Sequence, residues 1–212
     1  MNYSIYLFDF DYTLADSEKG IVGSFHHTLK ARGFAPVPDE HIRRTIGLPM
    51  EDAVRQITGL QDTAQVTAFI EEYRCFADTY MTPNTRFFPE TIPTLQTLRA
   101  RGAHTAVIST KTRSRIAEKF EQDGVMHLLD FIIGREDVAV PKPAPEGILC
   151  ALQRLGGQKA ETLYIGDSHI DARAAQNAGT DFAAVTTGTT TAAEFKSFPH
   201  VKIMKSLAEL ID

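Results

Sequence analysis

The chain is poor in cysteine. Its two cysteines, Cys75 and Cys150, lie far apart and form no CxxC or Cys/His spacing. That excludes a disulfide framework and a structural zinc site, and it fits a reducing compartment. Basic charge is also short: 22 Lys and Arg stand against 27 Asp and Glu, a net charge of -5, with a pI near 5.8. No basic field exists to gather a phosphate backbone, so no nucleic-acid partner is expected, and a small anion would need a local positive site. No apolar run approaches the roughly 18 residues a membrane span needs. The first residues read as a strand ending in acids rather than a basic, cleavable leader, so a soluble cytoplasmic protein with no membrane partner is expected. Glycine-rich loops of the P-loop or dinucleotide type are missing, and GDSHI lacks the second glycine of GxSxG, which leaves Ser168 a poor esterase nucleophile. There is no internal repeat and no low-complexity tract.

What is present is a chain of 212 residues, 43% hydrophobic, enough to bury a sizeable core. Short apolar runs recur, each followed by a turn and a helical pattern: YSIYLF (3–8), HTAVIS (104–109), FIIG (131–134), TLYIG (162–166), FAAVT (182–186) and a weaker VKIM (201–204). Continuous rather than alternating apolar strands, interleaved with helices, predict an α/β fold with a doubly wound parallel sheet covered on both faces. Helices are predicted over 112–123, 145–155, 170–178 and 206–211. From about Asp16 to Pro89 the rhythm changes, with helical patterns at 20–33, 39–47, 50–59 and about 62–81 and no strand-like run. This predicts a small helical unit, 16–82, inserted after the first strand into a core made of 1–15 and 83–212. Its hinges would lie near Asp11–Asp16 and Pro83–Pro89, with Phe87 and Phe88 packing the second.

The stretch LFDFDYTLADS (7–17) drives the first strand into Asp9 and Asp11. Residues i and i+2 of an extended segment point the same way, so the two carboxylates face one region and repel unless a positive charge lies between them. Either a capped strand end or a cation site would answer. In open parallel sheets ligands collect beyond the carboxyl ends of the strands. There the sequence also puts Ser109, Thr110 and Lys111, then Lys142 in PKPAP, then Asp167 and Asp171 in GDSHID; only the last strand end adds no such group. Three of the four acids could surround a hard divalent cation such as Mg²⁺.

Asp9-Phe10-Asp11-x-Thr13-Leu14, Ser109, Lys142-Pro143-x-Pro145 and Gly166-Asp167-x-x-x-Asp171, in this order, resemble the motifs of the haloacid dehalogenase superfamily. The stretches STK, PKPAPEG and GDSHIDARAAQNAG are similar to its phosphoglycolate phosphatase branch. The resemblance implies a Rossmann-like core with a helical cap and a Mg²⁺-dependent phosphatase acting on a small phosphorylated metabolite, with 2-phosphoglycolate a candidate. It implies that Asp9 is the nucleophile that forms an aspartyl-phosphate, and that Asp11 protonates the leaving group and then activates water. Mg²⁺ would be held by Asp9, the Asp11 carbonyl, Asp167 and Asp171. Ser109 and Lys142 would hold the phosphoryl oxygens, with the Phe10 and Thr110 amides and Thr13 in support. Arg43, Arg44 and the Gly47-Leu48-Pro49 loop on the cap, and Lys111 on the core, are the candidates for reading the rest of the substrate. Tyr12 stands where the family usually has glycine, so either the backbone is ordinary there or the turn differs. A phosphomutase resembling β-phosphoglucomutase is an alternative, as is a non-enzymatic receiver-like phospho-switch; a dehalogenase has no use for Asp11. A monomer or homodimer is expected.

Overall fold

The protein is described from a computed structural model covering residues 3–211. In chain order its elements are β1 (Ile5–Phe8), β2 (Ala15–Asp16), α1 (Glu18–Ala31), α2 (Asp39–Arg43), α3 (Met50–Thr58), α4 (Thr63–Tyr80), β3 (Arg86–Phe87), α5 (Thr91–Ala100), β4 (His104–Ile108), α6 (Arg113–Gln122), β5 (Phe131–Ile133), α7 (Glu146–Leu155), β6 (Thr162–Gly166), α8 (His169–Ala178), β7 (Asp181–Val185), α9 (Ala192–Phe195) and β8 (Lys202–Met204).

Six strands form one parallel sheet in the order β5-β4-β1-β6-β7-β8. The chain runs outward from β1 through β4 to β5, then crosses back to β6. The strand order therefore reverses around β1, and the loops beside it part to leave a crevice at the carboxyl edge. Both faces of β1 are buried, and its side chains alternate between two cores. Tyr6 and Phe8 join Leu95 and Leu98 of α5 and Ile116 and Phe120 of α6. Ile5 and Leu7 join Ile148 and Leu152 of α7 and the alanine-rich face of α8.

Helices α1 to α4 pack around a third core. Ile21, Val22, Phe25 and Leu29 of α1 meet Val66, Phe69, Ile70, Tyr73 and Ala77 of α4, the spacing of a helical stripe. The two segments that join these helices to the sheet pair as a short antiparallel ribbon, Ala15 opposite Phe87 and Asp16 opposite Arg86. Phe87 packs edge-on against Phe10 and Phe120, with centroids 6.3 and 4.8 Å away, anchoring the ribbon to the core.

Several details differ from the sequence reading, the short helix α9 among them. The ribbon β2/β3 lies where no strand was expected. Helix α5 was unassigned, although Pro93 sits in its first turn, where the missing amide costs nothing. The 39–47 pattern is helical only to Arg43 before breaking into turns. Residues 207–210 form a single 3₁₀ turn rather than a helix.

Candidate active site

The loop after β1 is folded tightly on itself. The amides of Thr13, Leu14 and Ala15 all donate to the Phe10 carbonyl, at 3.2, 2.9 and 3.0 Å, and Tyr12 donates to Ala15 at 2.8 Å. This curl puts Tyr12 at φ 57°; among the described residues it is the sole non-glycine in the left-handed region. The position thus keeps a glycine-like turn despite the bulky side chain, at a strain of about 1 kcal/mol or more. The Tyr12 hydroxyl donates to Glu18 Oε2 at 2.6 Å. The Phe10 side chain is buried in the sheet core, so its main chain alone faces the crevice side.

Asp9 is almost wholly buried, and its Oδ1 lies 2.9 Å from Lys142 Nζ. That oxygen has no hydrogen bond of good geometry. Burial, the largest influence, pushes the Asp9 carboxyl up to about 6; Lys142 pulls it down, while Asp171 and Asp11 add to the rise. Lys142 also lies 2.5 Å from Asp171 Oδ1 and donates to the Tyr164 hydroxyl at 2.9 Å. Burial disfavours its charge, but Asp171 and Asp9 outweigh that and hold the ammonium protonated. Asp167 takes a 3.2 Å bond from Thr13. Burial first, then Asp171 and Asp9, drive the Asp167 carboxyl well above the usual range.

Oxygens of Asp9, Asp167 and Asp171 come within 4.8 Å of one another. Three buried carboxylates against one ammonium lack positive charge, and one Asp9 oxygen is unsatisfied. An all-oxygen donor set of this kind fits a hard divalent cation. The fit is uneven. Both oxygens of Asp171 are already engaged, Oδ1 by Lys142 and Tyr164 (3.1 Å) and Oδ2 by the amide and hydroxyl of Ser168 (3.1 and 2.5 Å). Ser168 and Asp171 form the capping box that starts α8, so Ser168 is structural. Asp9 and Asp167 are the better placed to bind a metal directly, with Asp171 orienting Lys142.

Asp11 faces the other side of the crevice. Its Oδ1 accepts from Lys111 Nζ at 2.9 Å and from the Ser17 hydroxyl, and both side chains of the Lys111 pair are only 9% exposed. Ser109 follows β4 beside Asp9, and Thr110 donates to the Gly47 carbonyl at 3.0 Å, a direct bond between sheet and helical layer. Arg43 donates to Glu18 at 2.8 Å, completing a Tyr12–Glu18–Arg43 chain. Arg44 turns to Glu40 at 2.9 Å and is 67% exposed, so the structure does not bring it to the acids.

Three contributors escaped the sequence reading. Tyr164 reads as an apolar strand residue, yet its hydroxyl lies between Lys142 and Asp171. Ser17 holds Asp11. The loop after β7, from which the sequence reading took no site residue, crosses the acids: Thr187 donates to the Tyr12 carbonyl, and a Cβ on Gly188 would overlap Asp167 Oδ2. The run of threonines around that glycine, TTGTTT, is the signal that could have flagged it.

A cavity of about 110 Å³ opens between α1, α3, α4 and the loop carrying Lys111, lined by Asp11 but not by Asp9. Fold and site together define a class: a doubly wound α/β enzyme core whose acids and lysine meet at the carboxyl edge of the sheet, beneath inserted helices. The model of the haloacid dehalogenase-like hydrolases matches residues 6–185, and the chain belongs to that family. It is 32% identical to "Probable phosphatase IndB" of Dickeya dadantii over 97% of this chain and 90% of that one. It is 31% identical to "Pyrophosphatase PpaX" of Oceanobacillus iheyensis over 97% and 94%. A crystal structure of a haloacid dehalogenase-like hydrolase from Bacteroides fragilis superposes with TM-score 0.97 at 46% identity, covering 99% of this chain and all of that one.

Proposed function

We propose that this protein is a Mg²⁺-dependent phosphatase of small phosphorylated metabolites that works through an aspartyl-phosphate on Asp9. One observation carries the reading. Asp9, Lys142, Ser109 and Asp167 converge in a buried pocket, while Asp11 lines the adjoining cavity. The phosphoryl group then belongs by Asp9 and the leaving group by Asp11.

An Asp9 oxygen attacks phosphorus, the bond to the leaving oxygen breaks, and Asp11 supplies the proton that oxygen needs. Asp11 next takes a proton from water, whose oxygen attacks phosphorus and frees the Asp9 carboxylate with release of phosphate. Lys142 and Ser109, with the Phe10 and Thr110 amides, offer the fixed charge and hydrogen bonds on which phosphoryl transfer depends, while Thr13 steadies Asp167. Lys111 holds Asp11 toward the leaving group. Asp9, the Asp11 carbonyl and Asp167, with Asp171 behind, would hold Mg²⁺, which would offset the charge shared by carboxylates and phosphate. The unit 16–82 acts as the cap, with Arg43 bracing it; the Thr110–Gly47 bond closes it over the site. The relative named a pyrophosphatase adds pyrophosphate to 2-phosphoglycolate as a candidate substrate. The protein works in the cytoplasm as a monomer or homodimer; among the described residues no helix is long and apolar enough to cross a membrane.

The test is phosphate release from a panel of phosphate esters, with Mg²⁺ and with chelator, by the wild type and Asp9→Asn. Release that needs both Mg²⁺ and Asp9 is expected. Retained turnover in Asp9→Asn would remove the nucleophile, and an isomerised sugar phosphate without released phosphate would make the enzyme a mutase.

A further inference from the structure

The cavity that Asp11 faces has two unlike ends. Toward α1 and α4 its wall is apolar, with Ile21, Phe25 and Tyr73. Its outer end holds three guanidinium groups: Arg74 from α4, Arg115 from α6 and Arg135 from the turn after β5. The carboxylates on the wall are few. Asp11 is matched by Lys111, which leaves Glu51 as the other acid of the lining.

The arginines differ in what already occupies them. Arg115 is engaged by the side chain and carbonyl of Asp78 and by Glu118, so it ties the cap to the core. Arg135 spends one nitrogen on the Val138 carbonyl at 3.1 Å, and its Nε is buried with no partner. Arg74 has no ion pair or hydrogen bond among the described residues. Of the nearby acids, Glu136 is used by the Arg113 amide at 3.0 and 3.1 Å, Asp78 by Arg115, and Glu146, whose charge reaches Arg135, by the Ala139 and Val140 amides at 2.7 and 2.8 Å. A buried guanidinium nitrogen without an acceptor is costly, and its fork geometry suits a carboxylate or phosphoryl group.

We infer that Arg135 and Arg74 form an anion subsite for the far end of the leaving group, so that preferred substrates carry a second anionic oxygen group on the leaving group. The inference rests on the phosphatase reading, which decides that the leaving group occupies this cavity. Arg74, Arg115 and Arg135 also line a second cavity, of about 440 Å³, so the subsite stands where the two spaces meet. The anion is a carboxylate or a second phosphoryl, which share the oxygen chemistry that Arg135 lacks.

The experiment compares kcat/KM for matched pairs, 2-phosphoglycolate against ethyl phosphate and pyrophosphate against methyl phosphate, in wild type, Arg135→Gln, Arg135→Lys and Arg74→Gln. The ratio within a pair, compared between variants, cancels the intrinsic reactivity of each ester. Arg135→Gln is expected to lower the anionic-over-neutral ratio roughly ten- to hundredfold, the worth of a hydrogen bond to a charged group. The loss should fall on KM of the anionic ester, with partial recovery in Arg135→Lys. Should Arg135→Gln fold poorly, Arg74→Gln, an exposed change, reads the same ratio. The pair with the larger loss identifies the anion as carboxylate or phosphoryl. Equal losses on both members of each pair would overturn the subsite. Absence of hydrolysis of every ester by the wild type would instead remove the phosphatase reading beneath it.

Discussion

Replacing Lys142 by Met keeps most of the apolar stem of the side chain, one atom shorter, and removes one buried charge. The lysine is 5% exposed and lies 2.9 Å from Asp9 and 2.5 Å from Asp171. Breaking such a buried pair from one side costs about 3–5 kcal/mol, because the remaining carboxylates keep their desolvation without its compensation. That is a large part of the roughly 5–15 kcal/mol stabilising a domain. The deficit should also depend on pH. In the wild type Asp9 titrates at about 6, and loss of the ammonium raises it further. Below that value Asp9 is protonated in both proteins, so its share of the deficit vanishes; above it, the variant alone bears the extra penalty. Urea unfolding of the chelated proteins followed by circular dichroism, at about pH 7.5 and about pH 5, reads both effects. A deficit under about 1 kcal/mol at the higher pH, or one that does not shrink at the lower, would refute the assignment of Lys142 as the counter-charge of these acids.

Three other outcomes follow from the same geometry. Relative to Asp9→Asn, the chelated wild type should lose stability as pH rises from about 4 to about 6, the comparison cancelling Asp130, Glu146 and Glu194, whose lowered carboxyls act the other way. The folded Asp9, titrating at about 6, keeps a proton that the unfolded chain has released, so ν_N exceeds ν_U and the slope is negative; Mg²⁺ should flatten it, and a rising curve would contradict the reading. Tyr12→Phe removes the 2.6 Å bond to Glu18 but keeps the ring, and should cost about 1–2 kcal/mol in urea unfolding; an unchanged midpoint would show that bond to be idle. Gly188→Ala places a methyl on Asp167 and should weaken Mg²⁺ binding, measured by calorimetry, roughly 10- to 100-fold; unchanged affinity would show that Asp167 does not bind the metal.

The sheet was legible because its strands are buried on both faces and therefore read as unbroken apolar runs, TLYIG and IYLF among them. The helices around Phe25 and Phe69 were legible because their apolar residues recur at helical spacing. The ribbon of Ala15–Asp16 with Arg86–Phe87 was not, since two residues per strand hold no period and the pairing spans 70 residues of chain. At the site, the acids stood out by their place after β1 and β6, whereas their roles came from the family resemblance. Tyr12 shows a limit of residue propensity: three amides converging on the Phe10 carbonyl force a left-handed turn that tyrosine resists. The arginines at the cavity mouth come from three elements distant in sequence, so only the fold reveals them as neighbours.

The central claim is that Asp9 takes the phosphoryl group. The most direct measurement is acid quenching of the enzyme during turnover, followed by proteolysis and mass spectrometry of the peptide that holds Asp9. The account predicts a mass gain of one phosphoryl group on that peptide, at Asp9 itself, formed and lost within a turnover. Turnover with no phosphorylated peptide, or with the phosphoryl group on another residue, would contradict it.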